Sequence, residues 1–375
     1  MQSTSSPRVI TLGTAGGPRW WKGDTKDRAG IATAVVVGER FYLVDAGHGV
    51  GRRIRQAGLE LADLGGIFIT HLHSDHTIDI PSLVVFGTHE LQHRAGNPVP
   101  VFGPGNRGAL PPVSPFATEA PQPVAPENPT PGTADMIRGI VAAYATDLND
   151  RILDSLRPSP LELLELNDIE IPAGLGYHVN ENPTPDMEPF EVFRDEYVTV
   201  TAILVEHPPV APAFAFRFDT AGGSVTISGD TCATANLVRL AKDTDLLLHE
   251  AIDFEWVEGL YGHRTDDEGR ASRDHHYKSH TSVAGAVEQA RAAGARRLAL
   301  HHLVPGSADD TVWAQGETLF PGRFLVPEDL DVIDLVPDAA ASGSSPTPAS
   351  AGAGSRDEGT QVPSGTTAPT TVPAR

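Results

Sequence analysis

Three imidazoles and a carboxylate fall within six residues of this chain, in Thr70-His71-Leu72-His73-Ser74-Asp75-His76. Imidazole and carboxylate are the donors that borderline divalent metals such as zinc prefer. The i, i+2 spacing of His71 and His73 suits an extended backbone, which turns alternate side chains the same way. Asp75 and His76 follow where that backbone gives way to a loop or helix start. The density of ligand types reads as a metal centre of hydrolytic character.

The same device recurs downstream: a short apolar strand running straight into ligand-type residues. Val205-Glu206-His207 ends one such run, and Ile227-Ser228-Gly229-Asp230-Thr231 ends another. In the second, Gly229 permits a tight turn that presents the Asp230 carboxylate. Leu248-His249-Glu250-Ala251 and Leu300-His301-His302 complete the series. One histidine placed this way is usually structural; four repetitions point to convergence at one sheet edge.

The elements that must position these residues can be read from periodicity. Residues 8–12, 32–37, 41–44 and 66–70 read as strands, the second and third forming a hairpin near Gly38-Glu39. Strand patterns return at 198–205, 213–218, 224–227, 246–248 and 298–300. Helical patterns cover 50–57, 235–242 and 281–293. Between the halves, 103–192 reads as an insertion. Prolines crowd 104–131, and 134–152 carries Met136, Ile137, Ile140, Val141, Tyr144, Leu148 and Ile152 at helical spacing. That helix has three uses open to it: capping the cleft, forming a dimer face, or packing on the core. Strands in both halves, each ending in polar residues, predict two sheets flanked by helices.

The chain of 375 residues is 40% hydrophobic, ample for a core, and no apolar run approaches the roughly 20 residues of a membrane span. The first residues lack the basic flank and apolar stretch of a secretory leader. A single cysteine, Cys232, excludes an internal disulfide and fits a cytoplasmic setting. The formal net charge of −21 argues against a chain-wide nucleic-acid footprint, which draws on Lys and Arg. Residues 337–375 are almost entirely Ala, Gly, Ser, Thr, Pro and Val with hardly any large apolar side chains, which predicts a disordered tail beyond a 1–336 domain.

Taken in order, HxHxDH, a distant His207, the Gly229-Asp230-Thr231 aspartate and a final histidine resemble the metallo-β-lactamase superfamily. Leu248-His249-Glu250-Ala251, His280-Thr281-Ser282 and Leu300-His301-His302-Leu303-Val304-Pro305 are similar to its ribonuclease Z and arylsulfatase-like branch. The resemblance spans about residues 8–335, apart from the insertion, and implies an α/β fold, the four-layered αββα sandwich. It implies two metal ions, zinc with Mn2+ or iron as alternatives. His71, His73 and His207 would hold one and Asp75, His76 and His302 the other, with Asp230 between them. Asp75 would also orient the attacking water, and His280 would act as general acid, positioned by Glu250 or His249. The strand pattern favours His302 over His301 as the ligand. Asp45 would buttress the metal loop, Arg217 would contact an anionic ester or lie on the surface, and His275 and His276 would sit on a loop.

Two departures bear on the substrate. His48 follows Gly47 where ribonuclease Z relatives carry Glu, and no Lys-bearing Gly/Pro-rich arm is visible. Together with the acidity, these favour a small anionic ester, either an aryl sulfate or a phosphodiester. Ribonuclease Z-type cleavage of tRNA is the alternative, followed by a mononuclear iron oxygenase and a non-catalytic binding module. A homodimer is compatible with the amphipathic helix and with the resemblance.

Overall fold

Alternating apolar residues that are buried on both sides make a strand the middle of a layered structure. In the strand Arg40–Val44, Tyr42 and Val44 face one core cluster while Phe41 and Leu43 face another. The same two-sided burial holds in the inner strands of both sheets of the computed structural model. It describes residues 6–23 and 25–336; the tail predicted at 337–375 lies outside the described residues.

The first sheet contains β1 (Arg8–Gly13), β2 (Ala32–Val37), β3 (Arg40–Val44), β4 (Leu64–Phe68), β5 (Val99–Pro104) and β6 (Leu164–Ile169). The second contains β7 (Phe190–Arg194), β8 (Val198–Leu204), β9 (Phe214–Thr220), β10 (Gly223–Ile227), β11 (Leu246–Ile252), β12 (Arg297–Val304) and β13 (Arg323–Leu325). β14 (Val332–Asp334) then returns to the first. The orders are β14-β1-β2-β3-β4-β5-β6 and β13-β12-β11-β10-β9-β8-β7. Each sheet is antiparallel on one side and parallel on the other, switching at β3/β4 and at β10/β11.

The sheets meet face to face over an aromatic centre. Phe68 from β4 lies 5.2 Å from Phe218, 5.7 Å from Phe216 and 5.4 Å from Phe102, ring centre to ring centre. Such pairs each add about 0.5–1.5 kcal/mol beyond the area they bury. Helices cover the outer faces. On the first sheet, Ile54, Ile137 and Leu148 pack against Leu43 and Ile67; on the second, Val287 and Ala290 pack against Leu247 and Leu298. This is the αββα sandwich that the sequence predicts.

Within 103–192 the structure differs from the expected picture. The single helix predicted at 134–152 is two, Thr133–Ala143 and Ala145–Ser155, broken at Tyr144, whose backbone leaves the helical region. The break leaves both Ile137 and Leu148 in the same core cluster, so this face packs on the core. The segment also supplies β6 and β7, the edge strand of each sheet. Among the described residues no helix is long and apolar enough to cross a membrane.

Candidate metal centre

The ligand-type residues gather at one edge of the sandwich because the strands of both sheets end there. β4 runs through Ile69 and Thr70 into His71 and His73, and a one-turn helix, Ser74–Thr77, carries Asp75 and His76. His207 follows β8, Asp230 follows β10, Glu250 lies within β11 and His302 within β12. Gly229 has φ +60° and packs against Thr70 and the Phe214 carbonyl, so a side chain there would meet both. That left-handed, crowded turn is why glycine precedes Asp230.

Three groups of potential ligand atoms result among the described residues; one is Glu250, His280 and His302, and the other two share Asp230. Of those two, His71, His73, His207 and Asp230 form the first, with all four atoms within 4.8 Å of one another; Asp75, His76, Asp230 and His302 form the second, to the same limit. Asp230 belongs to both. Its carboxylate lies 3.3 Å from His76 Nε2 and 3.2 Å from His302 Nε2. These are the seven residues that the sequence nominates as ligands, brought together from segments as far apart as 227 residues.

A β-bulge separates the placements of His301 and His302. β11 and β12 are in register at Glu250↔His301 and again at Ala251↔Leu303, leaving His302 as the extra residue, with φ +47°. A bulge re-aims the side chain it carries. His302 points its Nε2 at Asp75 Oδ2, 3.2 Å away, while His301 stays in the ladder, buried and outside both groups. Gly16 lies so close to the His302 ring that any side chain there would overlap it.

The rings are held from behind. His76 Nδ1 donates to Asp45 Oδ2 at 2.8 Å, and His207 Nδ1 to the Ser279 carbonyl at 2.9 Å. In the neutral form each ring would then present an Nε2 lone pair to the site, as metal-binding histidines require. Asp45 also accepts from the Thr70 amide at 2.8 Å and adopts φ +61° to do so. Asp75 Oδ2 accepts from the Gly17 amide at 2.9 Å.

Without a cation, electrostatics favour the ligating forms of His71, His73, His207 and Asp230 but not of His76. Burial opposes a charge on His76, yet the Asp230, Asp45 and Asp75 carboxylates outweigh it and hold its pKa well above the usual histidine range. Burial pushes His71, His73 and His207 below the usual histidine range, and so toward neutral imidazole. Burial alone would raise Asp230, but His302 and His76 outweigh it and hold the carboxylate ionised. The fit to a cation can be tested on orphan atoms, since buried polar atoms are normally hydrogen-bonded. His71 Nε2, His76 Nε2 and Asp230 Oδ1 are buried with no hydrogen-bond partner, and all three belong to the two groups. The donor set fits metal ions.

In the third group, His280 Nδ1 donates to Glu250 Oε1 at 3.0 Å, and the Thr231 amide donates to the same oxygen at 2.9 Å. Burial opposes a charge on His280, but Glu250 and Asp230 outweigh it and raise its pKa to about 9. The expected role for His249 is corrected here. On an extended strand its side chain takes the face opposite to that of Glu250. Its Nδ1 meets the Glu250 backbone carbonyl at 2.7 Å and its Nε2 the Gln289 side chain at 2.9 Å, and of these two residues it is Glu250 whose side chain contacts His280. Arg217 is likewise far from an ester-binding role. It pairs with Asp219 and donates to the carbonyls of Leu240 and Lys242. Cys232 is half-buried and in none of the ligand groups.

His275 and His276 sit on a helix, Asp267–Ser279, rather than the expected loop. The His275 ring lies 6.2 Å from His73 and 6.1 Å from His207, and burial lowers its pKa to about 3. The Gly17 amide, the Ser279 carbonyl and Thr70 were not foreseen. Backbone groups carry no mark in a sequence, and only Thr70, next to His71, offered a signal.

A family model described as the metallo-beta-lactamase superfamily matches residues 27–144. Ribonuclease Z of Mycobacterium bovis (strain BCG / Pasteur 1173P2) is 31% identical over 317 residues, covering 83% of this chain and 94% of that protein. The chain belongs to the metallo-beta-lactamase superfamily. Ribonuclease Z of Mycobacterium tuberculosis (strain H37Rv) is 30% identical, with 83% and 93% covered. Two solved structures share the superfamily fold with this chain. The Bacillus subtilis protein YhfI has a TM-score of 0.54 at 16% identity, covering 88% of this chain and 99% of its own. The short form of human tRNase Z has a TM-score of 0.54 at 18% identity, with the same two coverages.

Proposed function

We propose that this superfamily hydrolase is a two-metal phosphodiesterase acting on RNA, of the ribonuclease Z kind. The observation that carries the reading is the match to ribonuclease Z along 94% of its length, with two ligand groups sharing Asp230. In this reading His71, His73 and His207 hold one ion, Asp75, His76 and His302 the other, and Asp230 both. Zinc suits these donors, with Mn2+ or iron as alternatives. When bound, such a pair lowers the pKa of water toward neutrality and stabilises the attacking and leaving oxygens of a phosphodiester.

The chain's own groups supply the rest. Asp45 and the Ser279 carbonyl fix the His76 and His207 rings, and Asp75 orients the attacking water. Glu250 accepts from His280 Nδ1 and so keeps the ring protonated on both nitrogens, and the Nε2 proton passes to the leaving oxygen with His280 as general acid. Residues 1–336 form the catalytic domain in this reading, and the 103–192 insertion shapes the approach for RNA.

The sequence reading put RNA second because of the net charge. Local charge bears more directly on that choice. A cleft of about 350 Å³, bordered by His275 beside His73 and His207, is lined by Arg107 and Lys278 and by no Asp or Glu. Lys278 is paired with Asp274 at 2.8 Å, but Arg107 donates to neutral carbonyl and amide oxygens and leaves this wall a positive charge. That suits a phosphate backbone whatever the total charge.

The test is side-by-side turnover of precursor tRNA, bis(4-nitrophenyl) phosphate and 4-nitrophenyl sulfate, with metal content measured on the same sample. Cleavage of the two phosphodiesters with about two metal equivalents is expected. Turnover of the sulfate alone, or one equivalent of iron, would overturn the reading.

A further inference from the structure

A second cleft, of about 400 Å³, borders the ligand groups at Asp75, and its walls include Arg19, Trp20, Trp21 and His48. The segment that forms it is tied down on either side of Trp20. The Gly17 amide donates to Asp75 Oδ2, and Trp21 Nε1 donates to the Gly16 carbonyl at 2.9 Å. The Trp21 ring packs edge-on against Trp256, 5.6 Å away. Arg19 lies over both of those rings, at 5.2 and 5.6 Å, so its guanidinium is engaged. The Trp20 ring is left open, 85% exposed, in an edge-on arrangement with the exposed His48 ring at 6.2 Å.

An exposed tryptophan needs no explanation on an ordinary surface. This one is held by an anchored loop, at the rim of a cleft that reaches a proposed metal ligand. The charges of the cleft are balanced: Arg19 and Arg28 against Asp27 and Asp75. It therefore differs from the cleft bordered by Arg107 and Lys278, whose lining includes no carboxylate, although Lys278 pairs with Asp274 next to it. A balanced, aromatic wall suits a neutral planar ring better than a phosphate, and every nucleobase offers such a face.

We propose that this cleft is the subsite for a nucleotide base flanking the scissile phosphate, with Trp20 as its stacking platform and His48 closing one edge. The proposal rests on the phosphodiesterase reading above and adds a specificity element to it. Base stacking on an aromatic side chain is tolerant of base identity, so the subsite would sense the presence of a base more than its kind.

The experiment uses the full-length, metal-loaded protein and calorimetric titration with adenosine 5′-monophosphate and ribose 5-phosphate, which differ by the base. The expected result is tighter binding of the nucleotide. Trp20→Ala should weaken nucleotide binding roughly 5- to 100-fold and leave ribose 5-phosphate unchanged. Trp20→Phe should restore most of the loss. Equal binding of the two ligands, or a Trp20→Ala variant that binds the nucleotide like the wild type, would overturn the subsite. Wild-type turnover of bis(4-nitrophenyl) phosphate is scored separately. Its absence would sink the phosphodiesterase reading, whereas base-independent binding with turnover intact would sink the subsite alone.

Discussion

Replacing Asp45 by Asn isolates one charge behind the proposed second metal position. Asp45 is 2% exposed, and its oxygens accept from the Thr70 amide, the Thr70 hydroxyl and His76 Nδ1. Its φ of +61° is a conformation that Asn tolerates nearly as well as Asp, so the backbone turn should survive. The amide can keep its carbonyl oxygen on Thr70. It then turns an NH2 group toward His76 Nδ1, where a donor already stands. Either the contact breaks, or the imidazole moves its proton to Nε2 and loses the lone pair that faces the site. Loss of such a supporting contact typically costs 10- to 100-fold in metal affinity, or about 1.4–2.7 kcal/mol. The assay is a competition titration with a chromogenic zinc chelator. We expect one of two zinc equivalents to weaken by that factor while the His71, His73 and His207 group changes less. Wild-type affinity for both equivalents would refute the reasoning. So would a parallel loss of both with a fall in melting temperature, which would make Asp45 a determinant of folding instead.

Three other outcomes are expected. Gly16→Ala should displace the His302 ring and cut turnover at least tenfold, with an unchanged far-UV circular dichroism spectrum. Full activity would mean that the close approach is not constraining. His249 is buried with its pKa lowered to about 4, so the folded state resists its protonation while the unfolded state accepts a proton near pH 6.5. Stability from this residue is therefore present above pH 6.5 and falls by up to about 3 kcal/mol as pH drops toward 4. Urea melts at pH 7 and 4.5 should show a smaller difference in His249→Gln than in the wild type. Phe68→Ala should cost about 3–5 kcal/mol by the same measurement, because the aromatic centre between the sheets cannot collapse around the gap.

Much of the site was legible because its signals are local. HxHxDH and the glycine before Asp230 announce themselves within a few residues, and strands in both halves that end in polar residues announce two sheets flanked by helices. What stayed hidden depends on partners far along the chain. His249 and Glu250 are adjacent in sequence, and only the alternation of β11 assigns one to Gln289 and the other to His280. His302 is selected by a bulge, which has no periodicity of its own. The helix Asp267–Ser279 carries too few apolar residues for a helical stripe, so His275 looked like part of a loop. β6 and β7 are short edge strands bearing charged residues, the usual composition of a sheet margin and a poor match to a strand template.

The shared carboxylate of Asp230 has a consequence for how the chain acquires its metals. Asp75 and His302 are 227 residues apart, and the ligand groups draw on both sheets. Contacts of such long range form late, after the entropy of closing the intervening loops has been met. Metal cannot then nucleate folding as it does in small zinc modules, where ligands lie close in sequence. Only the contiguous 71–76 segment could hold an ion early and weakly. Occupancy of both positions would instead report that the two halves have docked, so refolding in the presence of a chelator should reach the same sandwich, with metal arriving as the last step.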